Sequence, residues 1–119
     1  MTNLLIQFRK CANHADIFKY EKYDMDNDDD DDTIEDVIKN SGKFCLLEHL
    51  IPKMLKFKHR ILIFCQFIIV MDLLEQYFEY KKIKYLRIDG STSSEERIER
   101  LDQFNNNNDN NKTNSINND

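Results

Sequence analysis

The chain holds only two glycines and one proline in 119 residues. That is few for a complete α/β domain, whose many loops draw on both residue types. It has no long apolar run: the longest, Ile61 to Met71, is broken by Gln66 and is too short to cross a bilayer. No signal-peptide pattern is visible. The three cysteines, Cys11, Cys45 and Cys65, are odd in number and far apart, which argues against a disulfide framework. Cys45 and Cys65 lie within apolar runs and read as reduced, core-packed thiols of an intracellular protein.

Several kinds of chemistry are also missing. Gly42-Lys43 resembles the end of a phosphate-binding loop, but no earlier Gly precedes it and Phe44 stands where Ser or Thr would hold magnesium. The aspartate run Asp28 to Asp32 lacks the Gly that an EF-hand needs at its sharp turn. Cys11-x-x-His14 and Cys45-x-x-x-His49 could in principle supply four zinc ligands. Their spacings are unusual and an acidic stretch separates them, so buried thiols and surface histidines are the expectation. Asp89 beside Gly90 has no paired His or carboxylate, which suits a turn carboxylate that caps nearby N–H groups better than an acid or base. No Ser-His-Asp or Cys-His set is legible, and no catalytic, cofactor-binding or metal residue is expected.

What is present is unevenly charged. Residues 1–41 carry 5 Lys/Arg against 11 Asp/Glu, residues 42–104 carry 11 against 9, and residues 105–119 carry 1 against 2, so that −6, +2 and −1 give the net −5. The acidity belongs to the front of the chain. Five adjacent aspartates repel one another and favour an open, solvated segment. After Phe104 the sequence becomes an Asn-rich low-complexity tail. The expected organisation is a helical linker over 1–19, an acidic disordered insertion over 20–40, one domain over 41–105 and a disordered tail over 106–119.

Leu4, Leu5, Phe8 and Ala12 fall at helical spacing and predict a short amphipathic helix that ends near Asn13-His14 and needs a partner surface. Asn40 to Lys43 opens a second helix that runs to about Lys58, with Pro52 expected to kink or split it. The apolar run Ile61 to Phe64 and the alternating Lys84 to Ile88 read as two strands, and Ile69 to Tyr80 as the helix between them. This predicts a parallel βαβ unit with a right-handed crossover, and places Gln66 and Asp89-Gly90-Ser91-Thr92 at one sheet edge, where ligands bind. Ser93 and Glu96 have capping-box spacing and open a last helix with the stripe Ile98, Leu101, Phe104.

The segments SGKFCLLEHLIPKMLKFKHRILIFCQF and MDLLEQYFEYKKIKYLRIDGSTSSEER, followed by FN, closely resemble the start of the second RecA-like lobe of Swi/Snf-type chromatin-remodelling ATPases. RILIFCQF resembles helicase motif IV and YLRIDGSTSSEER the adjoining motif IVa. NLLIQFRKCANHADIF resembles the family's stretch joining the two lobes, with Ala15 where the family has Pro. The wording SGKF, then the LFCQ-like IFCQ, then YLR-DG leans toward the Brahma subgroup, with Cys65 where other subgroups often have Ser. The resemblance covers about Asn3 to Phe18 and Ser41 to Asn105. It stops short of the Gly-rich motif V and of motif VI with its arginine fingers, and the first lobe with its P-loop and Asp-Glu box has no counterpart here.

The resemblance implies a partial RecA-like α/β helicase lobe (a βαβα unit preceded by helices) from a nuclear, ATP-dependent DNA translocase. ATP and Mg²⁺ would belong to the complete enzyme and not to this chain. Its partners would be DNA and the nucleosome, the remaining ATPase lobes and remodelling-complex subunits, with no membrane. Within that frame Gln66, Gly90, Ser91, Thr92 and Arg97 are expected to contact the DNA backbone through hydroxyl groups, helix N-termini and charge. The bland alternative is that Ser93 only caps its helix and Arg97 pairs with Glu96 or Glu99. The rival functional classes are a DEAD-box-like RNA helicase fragment and a non-enzymatic interaction module acting through the acidic arm.

Overall fold

The computed structural model describes residues 3–21 and 33–106. The aspartate run, expected to lack regular structure, lies outside the described residues, as does the Asn-rich tail beyond Asn106. Among the described residues six helices are present: α1 (Leu4–Asn13), α2 (Ile17–Glu21), α3 (Ile34–Lys39), α4 (Gly42–Lys56), α5 (Ile68–Tyr80) and α6 (Ser94–Asn106). The chain divides into two compact units, Met1–Ile83 and Lys84–Asp119.

The expected α/β unit is not found. Among the described residues there is no strand, so the RecA-like βαβα reading, with its parallel pair at 60–65 and 84–88 and its right-handed crossover, is corrected to a helical arrangement. A strand exists only through ladder bonds to a neighbour, and neither segment forms one. The composition of the run after Arg60 predicts burial on both faces. Instead Leu62 is 67% and Phe64 91% exposed, and only Ile61 and Cys65 pack against the core. The run is apolar, but apolar composition does not by itself supply a pairing partner.

The core of the first unit is made by helices. Ile17, Val37, Ile38, Phe44, Ile51, Val70, Leu73, Leu74 and Tyr77 are buried together, drawn from α2, α3, α4 and α5. The periodicity of Ile68–Tyr80 is realised as expected, with Leu73, Leu74 and Tyr77 inside. α4 continues through Pro52 without splitting. α1 starts on Asn3, whose side chain accepts the N–H groups of Leu5 and Ile6, and it stops at the extended His14. Its apolar stripe stays exposed at Leu4, Leu5 and Phe8.

α3 lies in the stretch expected to be an acidic disordered insertion. Six residues are too few to be helical alone, so its neighbours hold it. Thr33 and Asp36 form a capping box at its start. Val37 and Ile38 enter the core. At its end, the imidazole of His14 donates from Nε2 to the Val37 carbonyl at 2.8 Å, and the Cys45 thiol donates to the Ile38 carbonyl at 3.1 Å. The Val37 carbonyl, which the short helix leaves unpaired, is thus satisfied by α1's terminus, while the Cys45 thiol adds a donor to an Ile38 carbonyl that already accepts the Ser41 N–H at 3.4 Å. Ser41 ties the same corner: its hydroxyl donates to the Asn13 carbonyl at 2.8 Å and accepts the Phe44 N–H.

One core residue carries an unpaired polar atom. Tyr77 is 1% exposed, and neither its hydroxyl nor the buried Oε2 of Glu48 has a hydrogen-bond partner of ordinary geometry. Burial, reinforced by the nearby Glu48 carboxylate, pushes the Tyr77 phenol up to about 12. The other Glu48 oxygen pairs with Lys81 at 2.5 Å. Because the folded value lies above the usual phenol range, the associated stability is complete below about pH 10 and is lost as pH rises toward 12. Tyr77→Phe removes an unpaired buried hydroxyl at constant shape. It is expected to raise stability by about 1 kcal/mol in urea unfolding at pH 7 and to abolish the alkaline loss. A variant weaker than the parent at pH 7 would show instead that the hydroxyl is bonded to Glu48.

Candidate nucleic-acid interface

The second unit is a turn feeding a helix. Thr92 N–H donates to the Asp89 carbonyl at 3.2 Å, closing a β-turn over Asp89-Gly90-Ser91-Thr92. The Asp89 carboxylate organises that turn: Oδ1 accepts the Ser91 N–H at 2.9 Å and the Ser91 hydroxyl at 2.6 Å, and Oδ2 accepts Arg87 Nε at 2.8 Å. The Asp89 N–H donates to Thr92 Oγ1 at 3.0 Å. The hydroxyl and backbone N–H of Ser91, followed by Arg87, hold the Asp89 carboxyl down at about 2, so it is ionised throughout the physiological range. Asp89 is therefore the turn carboxylate that its sequence context suggests.

Ser93 then caps α6 in both directions. Its hydroxyl accepts the Glu96 N–H at 3.2 Å, and its own N–H donates to Glu96 Oε2 at 3.1 Å, completing the capping box read from spacing. Arg97 is exposed, and its guanidinium reaches the Asp89 carbonyl at 3.5 Å rather than pairing with Glu96 or Glu99. Arg100 donates to the Arg87 carbonyl. The stripe Ile98, Leu101 and Phe104 buries nothing fully, with Ile98 61% and Leu101 46% exposed.

Gly90, Ser91, Thr92 and Arg97 are thus gathered at one end of α6. Gly90 has no positive φ, and a Cβ there would meet open space. Its small size leaves room at the tip of the turn instead of meeting a backbone demand. Ser91 spends both its donors on Asp89, a use that residue type alone does not reveal. Among the described residues no hydrogen bond is made to the N–H groups of Gly90, Ser94 or Glu95. The last two are the open donors expected in a helix's first turn. The end is not strongly basic: Asp89, Glu95 and Glu96 stand against Arg87, Arg97 and Arg100. Anion binding here would rest on aimed donors more than on net charge.

Gln66 belongs to the first unit. It is exposed, and its side-chain oxygen accepts a bond from Arg9 of α1, while Lys10 of α1 lies 5.9 Å from the Phe67 ring centroid. His14 is buried, not at the surface as expected, and its Nδ1 accepts the Asp16 N–H at 3.2 Å, so both ring nitrogens are engaged by backbone. The first turn of α4 does not fit a nucleotide phosphate. Ser41 already caps the Phe44 N–H, and Lys43 Nζ is bonded to Asn13 Oδ1 at 2.9 Å.

The model of the helicase conserved C-terminal domain matches residues 42–114. The probable ATP-dependent DNA helicase CHR23 of Arabidopsis thaliana is 42% identical over 97 residues, covering 82% of this chain and 9% of that protein. The transcription regulatory protein SNF2 of Saccharomyces cerevisiae is 40% identical over 95 residues, covering 80% and 6%. The ATP-dependent helicase brm of Drosophila melanogaster is 38% identical over 101 residues, covering 82% and 6%. The chain spans less than a tenth of the length of these relatives. On the match over 42–114 and these likenesses, the chain belongs to the helicase conserved C-terminal domain family, and its relatives there are the Snf2-type chromatin-remodelling helicases.

Proposed function

We propose that this chain supplies DNA-backbone contacts to an ATP-dependent chromatin remodeller of the Swi/Snf type, working in the nucleus on nucleosomal DNA alongside the remaining ATPase lobes and complex subunits. The observation that carries the reading is the capped turn of the matched region. It presents the open N–H groups of Gly90, Ser94 and Glu95 and the exposed Arg97 at one helix end, the geometry that suits a phosphate. Thr92 Oγ1 accepts from Asp89, leaving its hydroxyl proton to donate outward. Ser91 acts by holding the turn through Asp89; Gln66, in the first unit, is a DNA contact of its own.

The names of the relatives, DNA helicases and chromatin remodellers, favour this reading over an RNA helicase or a non-enzymatic module. ATP and Mg²⁺ are held by other parts of the complete enzyme, because phosphoryl transfer needs a phosphate cradle and metal ligands that do not fit the residues here. In the test, the purified chain binds duplexes of unrelated sequence equally and more weakly as salt rises, and hydrolyses no ATP with or without DNA. Sequence-selective binding, or DNA-stimulated turnover that survives removal of contaminating ATPases, would overturn the reading.

A further inference from the structure

We propose that the C-terminal end of α4 is a second DNA-phosphate surface, formed by Lys53, Lys56, Lys58 and His59 and separate from the turn at Asp89. The inference rests on the reading that the chain binds DNA, but on different residues in the other compact unit. Between Glu48 and Asp72 the sequence contains no carboxylate at all. All four residues are exposed, and among the described residues none forms an ion pair. Here, unlike the mixed end of α6, the positive charge is uncompensated, and it is uncompensated charge that displaces counterions from a duplex.

Helix electrostatics account for only part of this. Lys53 and Lys56 lie in the last turn of α4 and offset the partial negative charge of the helix end. Lys58 and His59 lie beyond it. The backbone bonds from Lys58 N–H to the Leu55 carbonyl at 2.9 Å and from His59 N–H to the Met54 carbonyl at 3.0 Å close the helix in a Schellman turn. Lys58 occupies its left-handed position with φ 59°, where glycine is preferred. Nothing in the backbone calls for lysine there, and the tight turn fixes where the lysine leaves the chain.

That position also provides a variant expected to fold. Lys58→Gly relieves the left-handed strain while deleting one cation. Lys82 is its control: it holds the same position at the end of α5 with φ 55°, next to Lys81, which pairs with Glu48. Glu48 lies two turns of α4, about 12 Å of helix rise, before Lys56.

The experiment measures anisotropy of a labelled random-sequence duplex with chain 1–119 across a salt series. Lys58→Gly should melt no lower than the parent yet reduce the slope of log affinity against log salt by about one. Lys53→Ala/Lys56→Ala/Lys58→Gly should reduce it by about three. Lys82→Gly should leave it unchanged. An equal effect of Lys82→Gly would reduce the result to net charge and overturn the inference. An unchanged triple variant beside a weakened Ser91→Ala/Thr92→Ala/Arg97→Ala variant would overturn this surface and keep the turn. The reverse would keep this surface and reject the turn. Failure of the parent to bind at all would reject both. Phe57, 72% exposed beside the lysines, would suit a membrane surface as well. Phosphatidylserine vesicle binding lost in the triple variant, with its DNA slope intact, would therefore also overturn the proposal.

Discussion

Replacing His14 by alanine is expected to destabilise the first unit by about 3 kcal/mol, the sum of a buried cavity and a carbonyl left unpaired. His14 is 1% exposed. Its Nε2 donates to the Val37 carbonyl at 2.8 Å, its Nδ1 accepts the Asp16 N–H, and its ring meets Phe44 edge-on at 5.7 Å. One side chain thereby caps α3, shapes the turn into α2 and packs against α4. His14→Phe would fill the site with a larger ring and keep the aromatic contact but lose both hydrogen bonds, so it should recover at most the cavity part. His14→Gln can restore the donor to Val37 and should recover part of the rest. Urea unfolding of the three variants separates these contributions. An alanine variant within about 0.5 kcal/mol of the parent would show that α3 is held without this imidazole.

The second large effect is functional. With residues 41–105 grafted into a complete Swi/Snf ATPase, the combined change Ser91→Ala, Thr92→Ala and Arg97→Ala is expected to weaken DNA binding and DNA-stimulated hydrolysis. Basal hydrolysis should change little. The loss should be nearly the same on any DNA sequence, because phosphates carry no base identity, and the salt slope should fall by about one for the single cation removed. Ser93 is retained so that the α6 cap persists. The Ser91 change also frees Asp89 Oδ1 from the serine hydroxyl, so thermal melting must accompany the binding data. A triple variant that folds normally and binds with parental affinity and slope would remove this end of α6 from the DNA interface.

What the sequence determined by itself was whatever depends on near neighbours. The stop of α1 at Asn13-His14, the inner face of α5, the Ser93–Glu96 capping box and the turn role of Asp89 involve residues within four positions of one another. At that range, spacing and side-chain chemistry fix the geometry. The family, too, was legible, because its signature is an ordered string of short motifs. Tertiary structure alone decided the rest. α3 carries no periodicity long enough to announce it, and it is held because its apolar residues reach the core and His14 arrives from the end of α1 to pair the Val37 carbonyl. The burial of His14 followed from the same packing. Pro52 sits inside α4 without ending it, while Ile61 to Phe64 has the composition of a strand but no ladder partner. Apolar composition is a property of the segment, whereas a β-strand is a property of two segments, and only the folded arrangement says whether the second one is there.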